Sequence, residues 1–334
     1  MASPPSVFLL GAGYIGQNVL DELPTTNHPV TTLVRRPEQA TVLEQAGSKT
    51  VLGTLSDLDL ITTTTAQHDV TINTASCDDL PSVEAILAGI RQRTAAGKQS
   101  IYIHTSGTGV LEDGALGMYK TDKIYRDDVP ADIEGLSPTS MHRHVDIPLV
   151  QAAREFGDKA KIVILLPPLV YGVNPKHNRH TFALLHLVRF GLTHGFAGYV
   201  GEGTNVWSVV HVQDLGRAYI PLLAWIEKAA PAEVLANPYF FAESGEEVSM
   251  KEAAEHIGGA LYDMGKLKSL KVQAFKEEDY QHVFGDFTAK ALGCNSRSRA
   301  IRLRELGWKI KEKDAKTTWR EDEIPSIVKA LESA

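Results

Sequence analysis

Three places in this 334-residue chain carry groups whose type and spacing suit chemistry. The first is Gly11-Ala12-Gly13-Tyr14-Ile15-Gly16, directly after the apolar run Val7 to Leu10. A strand that turns through Gly-x-Gly-x-x-Gly into a helix lets the backbone approach a pyrophosphate. It also aims free N–H groups and the positive end of the helix dipole at it. The second is Arg35-Arg36, roughly 20 residues past the glycines, where such a fold selects its cofactor. An acidic residue there would hold a free ribose 2′-hydroxyl. Two guanidinium forks suit a 2′-phosphate instead, so NADP is expected and NAD disfavoured.

The third place combines Ser106, with Thr105 and Thr108 beside it, and His142 with Asp146 four residues on. Four-residue spacing puts His142 and Asp146 on one helix face, where a carboxylate can orient an imidazole as a general acid near neutral pH. The plainer alternatives are a surface pair that Arg143 also joins, and a serine hydroxyl bonded to its own turn. His104 and His211 end strands and could face a site or serve the structure. His177, His180, His186 and His194 have no carboxylate at fixed spacing, so they suit a substrate pocket better than a metal. Cys77 and Cys294 read as reduced thiols, and no metal site is expected.

The elements that must position these groups alternate in type. Short β-rich runs cover Pro29 to Val34, Lys49 to Leu52, Asp69 to Thr74, Ser100 to His104 and Lys161 to Leu166. Between them lie helical patterns at Tyr14 to Leu23, Pro37 to Gly47, Pro81 to Gly97 and Ser140 to Phe156. Leu111 to Thr139 reads as a surface loop. This order predicts an α/β fold, a Rossmann-type doubly wound parallel sheet with a smaller C-terminal substrate lobe. The core is placed at 5–172 with a return at about 205–228, and the lobe at 173–204 and 229–334.

The motif order resembles the extended short-chain dehydrogenase/reductase family of NAD(P)-dependent epimerases, dehydratases and reductases, from about Val7 to about Trp308. The resemblance rests on the glycine turn, Asn73-Thr74-Ala75-Ser76, Thr105-Ser106-Gly107-Thr108, Pro167-Pro168-Leu169-Val170-Tyr171-Gly172, and the segment Gly201 to Leu215. It implies that Thr74, Ala75, Ser76 and Thr105 border the cofactor and that Pro168 and Val170 lie beside the nicotinamide. It also implies that Ser106 orients the substrate. The glycine turn is one residue shorter than in many members. The family's Tyr-x-x-x-Lys pair should fall near Ser140 to Val145, where the sequence is Ser140-Met-His-Arg-His-Val145 and supplies neither residue. Tyr119 and Lys123 match the pattern in a loop closer to Ser106 than the family spacing.

The reading is therefore an NADP-dependent oxidoreductase of atypical extended type. It moves hydride between NADPH and a small-molecule carbonyl, imine or activated alkene, with Ser106, His142 and Tyr119 as catalytic candidates. One alternative is a redox sensor similar to NmrA-like proteins, which bind dinucleotide without turnover. A further one is a sugar-nucleotide epimerase or dehydratase. The net charge of −7 and the lack of a basic run argue against a nucleic-acid partner. No run approaches the ~20 apolar residues of a membrane helix, and the opening residues lack the charge of a signal peptide. A cytoplasmic setting follows. The family's dimers pack through the helices corresponding to Pro81–Gly97 and Ser140–Phe156, so a homodimer is expected.

Overall fold

The computed structural model describes residues 4–177 and 179–333; Met1 to Ser3, part of the opening read against a signal peptide, lie outside them. Seven parallel strands form the main sheet: β1 (Val7–Leu10), β2 (Val30–Val34), β3 (Lys49–Leu52), β4 (Val70–Asn73), β5 (Ser100–Thr105), β6 (Ala160–Leu166) and β7 (Tyr239–Phe241). Their spatial order is β7-β6-β5-β4-β1-β2-β3. The chain winds outward from β1 to β3, then returns to lay β4 on the other side of β1. That reversal opens a crevice at the carboxyl ends of β1 and β4, the place where open α/β sheets bind ligands.

β1 and β6 from Ile162 onward are apolar because helices cover both sheet faces. Val7, Phe8, Leu9 and Leu10 are fully buried, as are Ile162 to Leu166 to within 1%. Burial of each such side chain contributes ~1.5–3 kcal/mol relative to exposure.

Two elements depart from the expected order. A helix at Leu58–Gln67 crosses from β3 to β4 despite four consecutive threonines. Thr64 returns its hydroxyl to the Leu60 carbonyl at 2.7 Å, and Gly89 lets this helix approach Leu80–Ala95. A Cβ on Gly89 would lie 2.5 Å from the Thr62 carbonyl oxygen. Tertiary packing thus overrides the strand preference of the threonines. The second departure is β7, which pairs with β6 and completes the sheet edge although 229–334 was assigned to the lobe. Ala300, Leu303 and Trp308 likewise pack into the main core.

The lobe has its own core, in which Leu184 and Val188 meet Ala254, Ile257, Trp319 and Ile327. A three-stranded sheet joins lobe to core: Val206–His211 pairs in parallel with Leu169–Tyr171 and antiparallel with Glu247–Ser249. Among the described residues no helix is long and apolar enough to cross a membrane.

Candidate active site and dinucleotide cleft

The glycine turn lies at the sheet reversal. Gly11 has φ +94°, and a Cβ there would stand 2.4 Å from the Ala75 backbone, so only glycine fits. Thr74 fastens the turn from the next strand, its hydroxyl donating to the Gly11 carbonyl at 2.8 Å. A Cβ on Gly13 would meet nothing within 4 Å; this is the open point at which a pyrophosphate can approach. The helix Tyr14–Glu22 begins there with no side chain capping its first N–H groups, which leaves them for a ligand. A cleft of about 500 Å³ runs from Gly11 and Gly13 past Ala75 to Arg35 and Arg36. Its size and donors fit a dinucleotide.

Other residues of the motif serve the framework. Tyr14 donates its hydroxyl to the Gly172 carbonyl at 2.6 Å, strutting the glycine turn against the turn that follows β6. Ile15 packs against the main core. Gly16 admits the helix against the Gly11 carbonyl, only 1.9 Å from where its Cβ would be. Thr105 points beneath the sheet to the Tyr219 hydroxyl at 2.5 Å, so its side chain does not border the cleft. Ser76 accepts from the Asp78 backbone N–H at 3.1 Å. A third guanidinium, Arg179, lines the cleft, held by its Nε donating to Gln17 at 2.9 Å. Burial and the neighbouring charges of Arg36 and Arg35 lower its pKa. Sequence reading missed it because it sits far from Arg35 along the chain.

The catalytic candidates separate. His142 does not start the helix but caps it from outside, in the left-handed region with φ 66°. Such a conformation in a non-glycine residue costs ~1–3 kcal/mol and clusters at functional sites. The ring therefore turns away from Asp146. Its Nδ1–H donates to Asp78 Oδ1 at 2.7 Å. Its Nε2 packs over the turn after β5, where Cβ atoms on Gly107 and Gly109 would be 3.2 and 2.9 Å away. Burial opposes charge on this imidazole, but the hydrogen bonds with Asp78 and Cys77 outweigh it and hold the pKa at about 10. Asp78 is correspondingly lowered, its burial outweighed by the bond to His142.

Asp146 lies four residues further on, fully buried, and takes the Ser106 hydroxyl at 3.0 Å. The Ser106 hydroxyl, expected to orient a substrate, gives its hydrogen to this buried carboxylate, which leaves its oxygen as an acceptor. Burial lifts Asp146 to about 7, with the Ser106 bond pulling the other way. Tyr119 is nearly half exposed and donates to the Asp113 carbonyl, while Lys123 pairs with Asp132. Neither is brought to His142 or Ser106, so the Tyr119 assignment is not supported by placement. His104 is buried against the Tyr102 hydroxyl and held neutral, its pKa driven by burial to about 3. His211 caps the helix Val212–Lys228.

The candidate acid–base pair is His142–Asp78, with Cys77 Sγ 3.4 Å from Asp78. No spacing in the sequence links these residues. Their ligand-type atoms lie within 4.8 Å of one another, the grouping a metal could use. The short His142–Asp78 hydrogen bond holds the proton that metal binding would have to release.

The lobe contains an apolar cavity of about 430 Å³, lined in part by Leu169 and Val170. Of the four lobe histidines only His186 lines it. A dinucleotide cleft at the sheet reversal, set against a separate lobe cavity, is the plan of the NAD(P)-dependent enzymes of the extended short-chain dehydrogenase/reductase class, and this chain is one of them. A model of the NAD dependent epimerase/dehydratase family matches residues 7–236, and the chain belongs to that family. The sensor alternative gives way to this membership. Oxidase ucsJ of Acremonium sp is 27% identical over 336 residues, covering 91% of this chain and 92% of the relative. The UDP-glucose 4-epimerase of Thermotoga maritima superposes with TM-score 0.66 at 16% identity, covering 98% and 99% of the two chains. The yeast methylglyoxal/isovaleraldehyde reductase Gre2, solved with NADPH, gives 0.63 at 16%, covering 98% and 100%. At these identities the structural likeness concerns the fold.

Proposed function

We propose that this protein is an NADPH-dependent reductase of a small-molecule carbonyl, imine or activated alkene, with His142 as the proton donor in place of the family's tyrosine. The observation that carries the reading is the His142–Asp78 hydrogen bond at the entry to the helix Arg143–Phe156, where the family's tyrosine was expected. Bound NADPH would supply the hydride. Arg35, Arg36 and Arg179 would hold its 2′-phosphate, and Gly13 with the first N–H groups of the following helix its pyrophosphate.

The chain's own residues handle the proton. Asp78 accepts from Nδ1 and so fixes the ring orientation. It also stabilises the charged form, so that at neutral pH Nε2 carries a proton to give. As hydride reaches a carbonyl carbon, the oxygen takes that proton, and the products are an alcohol and NADP⁺. Water then reprotonates His142. Asp146 holds Ser106 in place and acts on the turn, not on the substrate. We further propose a homodimer through Leu80–Ala95 and Arg143–Phe156, supported by their adjacency in the Arg91–Glu155 contact at 3.5 Å.

The test is NADPH consumption against a panel of ketones, aldehydes and imines, with His142→Asn beside the wild type. Asparagine tolerates the left-handed backbone, so folding is retained. Turnover by the wild type and its loss in the variant are expected. Equal turnover by both would remove His142 from the mechanism.

A further inference from the structure

The lobe cavity is not part of the dinucleotide cleft, and its lining has a distinctive chemistry. Among the described residues, no Asp, Glu, Lys or Arg lines it. Among its polar side chains, Tyr171 donates to the Lys313 carbonyl at 2.9 Å and the Trp207 indole to the Cys294 carbonyl at 2.8 Å. His186 bonds the Phe182 carbonyl at 2.9 Å. Trp319 differs: its indole N–H is buried and has no partner.

The cavity walls are tied to the turn over which His142 packs. Thr108 donates its N–H to the Pro167 carbonyl at 2.9 Å, three residues before Val170 at the cavity. On the other wall, Leu292 is followed by Ser296, whose hydroxyl reaches Thr108 Oγ1 at 2.6 Å. The mouth is marked by Phe182, 66% exposed, stacked on Phe284 at 5.4 Å.

We infer that this cavity is the substrate pocket and that it takes an uncharged, mainly apolar molecule, not a nucleotide sugar. A volume of about 430 Å³ is within the ~300–1,000 Å³ of small-molecule sites. A diphosphate would need cations around it, since an unpaired buried charge is strongly unfavourable. The lining offers none. The inference deepens the reductase reading and rests on it for the reaction, but the pocket can be tested by binding alone.

The test uses the full-length protein and 2-acetonaphthone, an apolar ketone, with UDP-glucose as the charged comparison. Binding is followed by quenching of tryptophan fluorescence, and reaction by NADPH consumption. Ala253→Trp fills the cavity from the helix Met250–Asp263. Phe182→Glu puts a charge at the exposed mouth, where folding is not at stake. Both variants should weaken 2-acetonaphthone binding by roughly tenfold or more, and UDP-glucose should not compete with the ketone. Unchanged ketone affinity in both variants, or competition by UDP-glucose, would overturn the pocket assignment. Cavity-dependent binding without NADPH consumption would uphold the pocket while counting against the reductase reading. Consumption at equal rates by wild type and both variants would do the reverse.

Discussion

His142 Nδ1 and Asp78 Oδ1 stand 2.7 Å apart although 64 positions separate them in the chain. Asp78 belongs to the loop after β4, and His142 to the left-handed residue before the helix Arg143–Phe156. The pair forms because the loops after β4 and β5 meet at the carboxyl edge of the sheet, where the helix entry also arrives.

If this pair donates the proton, His142→Asn should lower kcat by about 10²–10⁴-fold, the usual range for general acid catalysis. The affinity for NADPH should not change. Steady-state kinetics with a separate cofactor titration distinguishes loss of catalysis from loss of binding.

Asp78→Asn tests the electrostatics. His142 is protonated below about 10 because Asp78 and Cys77 outweigh its burial. Without the carboxylate, the alkaline limb of the kcat profile should move down, toward the ordinary imidazole value of ~6.5. Stability follows the same sign: a raised pKa contributes stability that is complete below the unfolded value and is lost as pH rises through about 10. The variant should lose that stability at neutral pH. A kcat profile identical to wild type would place the titrating group elsewhere.

Cofactor choice should depend on Arg35, Arg36 and Arg179. Replacing Arg35 by Asp removes a charged hydrogen bond worth ~1.5–3 kcal/mol, so NADPH affinity should fall tenfold or more while NADH affinity does not fall. Arg179→Ala should act in the same direction. Equal losses for both nucleotides would mean that these arginines do not read the 2′-phosphate.

The two first glycines should respond differently to alanine. Gly11→Ala needs a strained φ and drives a methyl group into Ala75, 2.4 Å away, so thermal unfolding should show marked destabilisation. Gly13→Ala meets open space, so the fold should hold while the added methyl weakens dinucleotide binding.

Asp146 is raised by burial to about 7. A carboxylate whose folded pKa is raised binds its proton more tightly when folded, so its contribution is full below ~4 and is lost as pH rises through 7. Asp146→Asn keeps an acceptor for Ser106 and should flatten the fall in Tm between pH 5 and 8. Asp127 and Glu323 are also raised by burial, to about 6 and about 7, and remain in both proteins. The difference between the two melting curves therefore isolates Asp146. Parallel curves would contradict the assignment.

Much of the fold is legible in the chain because its signals are local. The apolar run Val7–Leu10 and the glycines after it define a strand-to-helix turn within ten residues, and Arg35-Arg36 follow at the end of the next strand. Each strand from Val30 to Leu166 stands near where its β-branched run predicts. The helix Leu58–Gln67 was hidden because its threonines prefer strands until another helix packs on them. The site was legible only in part. His142 is visible as a candidate, but helical spacing pointed it at Asp146. A left-handed residue before the helix turned the ring to Asp78 instead and left Asp146 to bind Ser106. Arg179, Asp78 and the lobe cavity depend on contacts between distant segments, whose partners no local pattern names. Local patterns along the chain were enough for the dinucleotide fold and its nucleotide end. Contacts between distant segments set the partner of His142 and the apolar pocket, because those depend on how loops converge at the sheet edge and not on spacing along the chain.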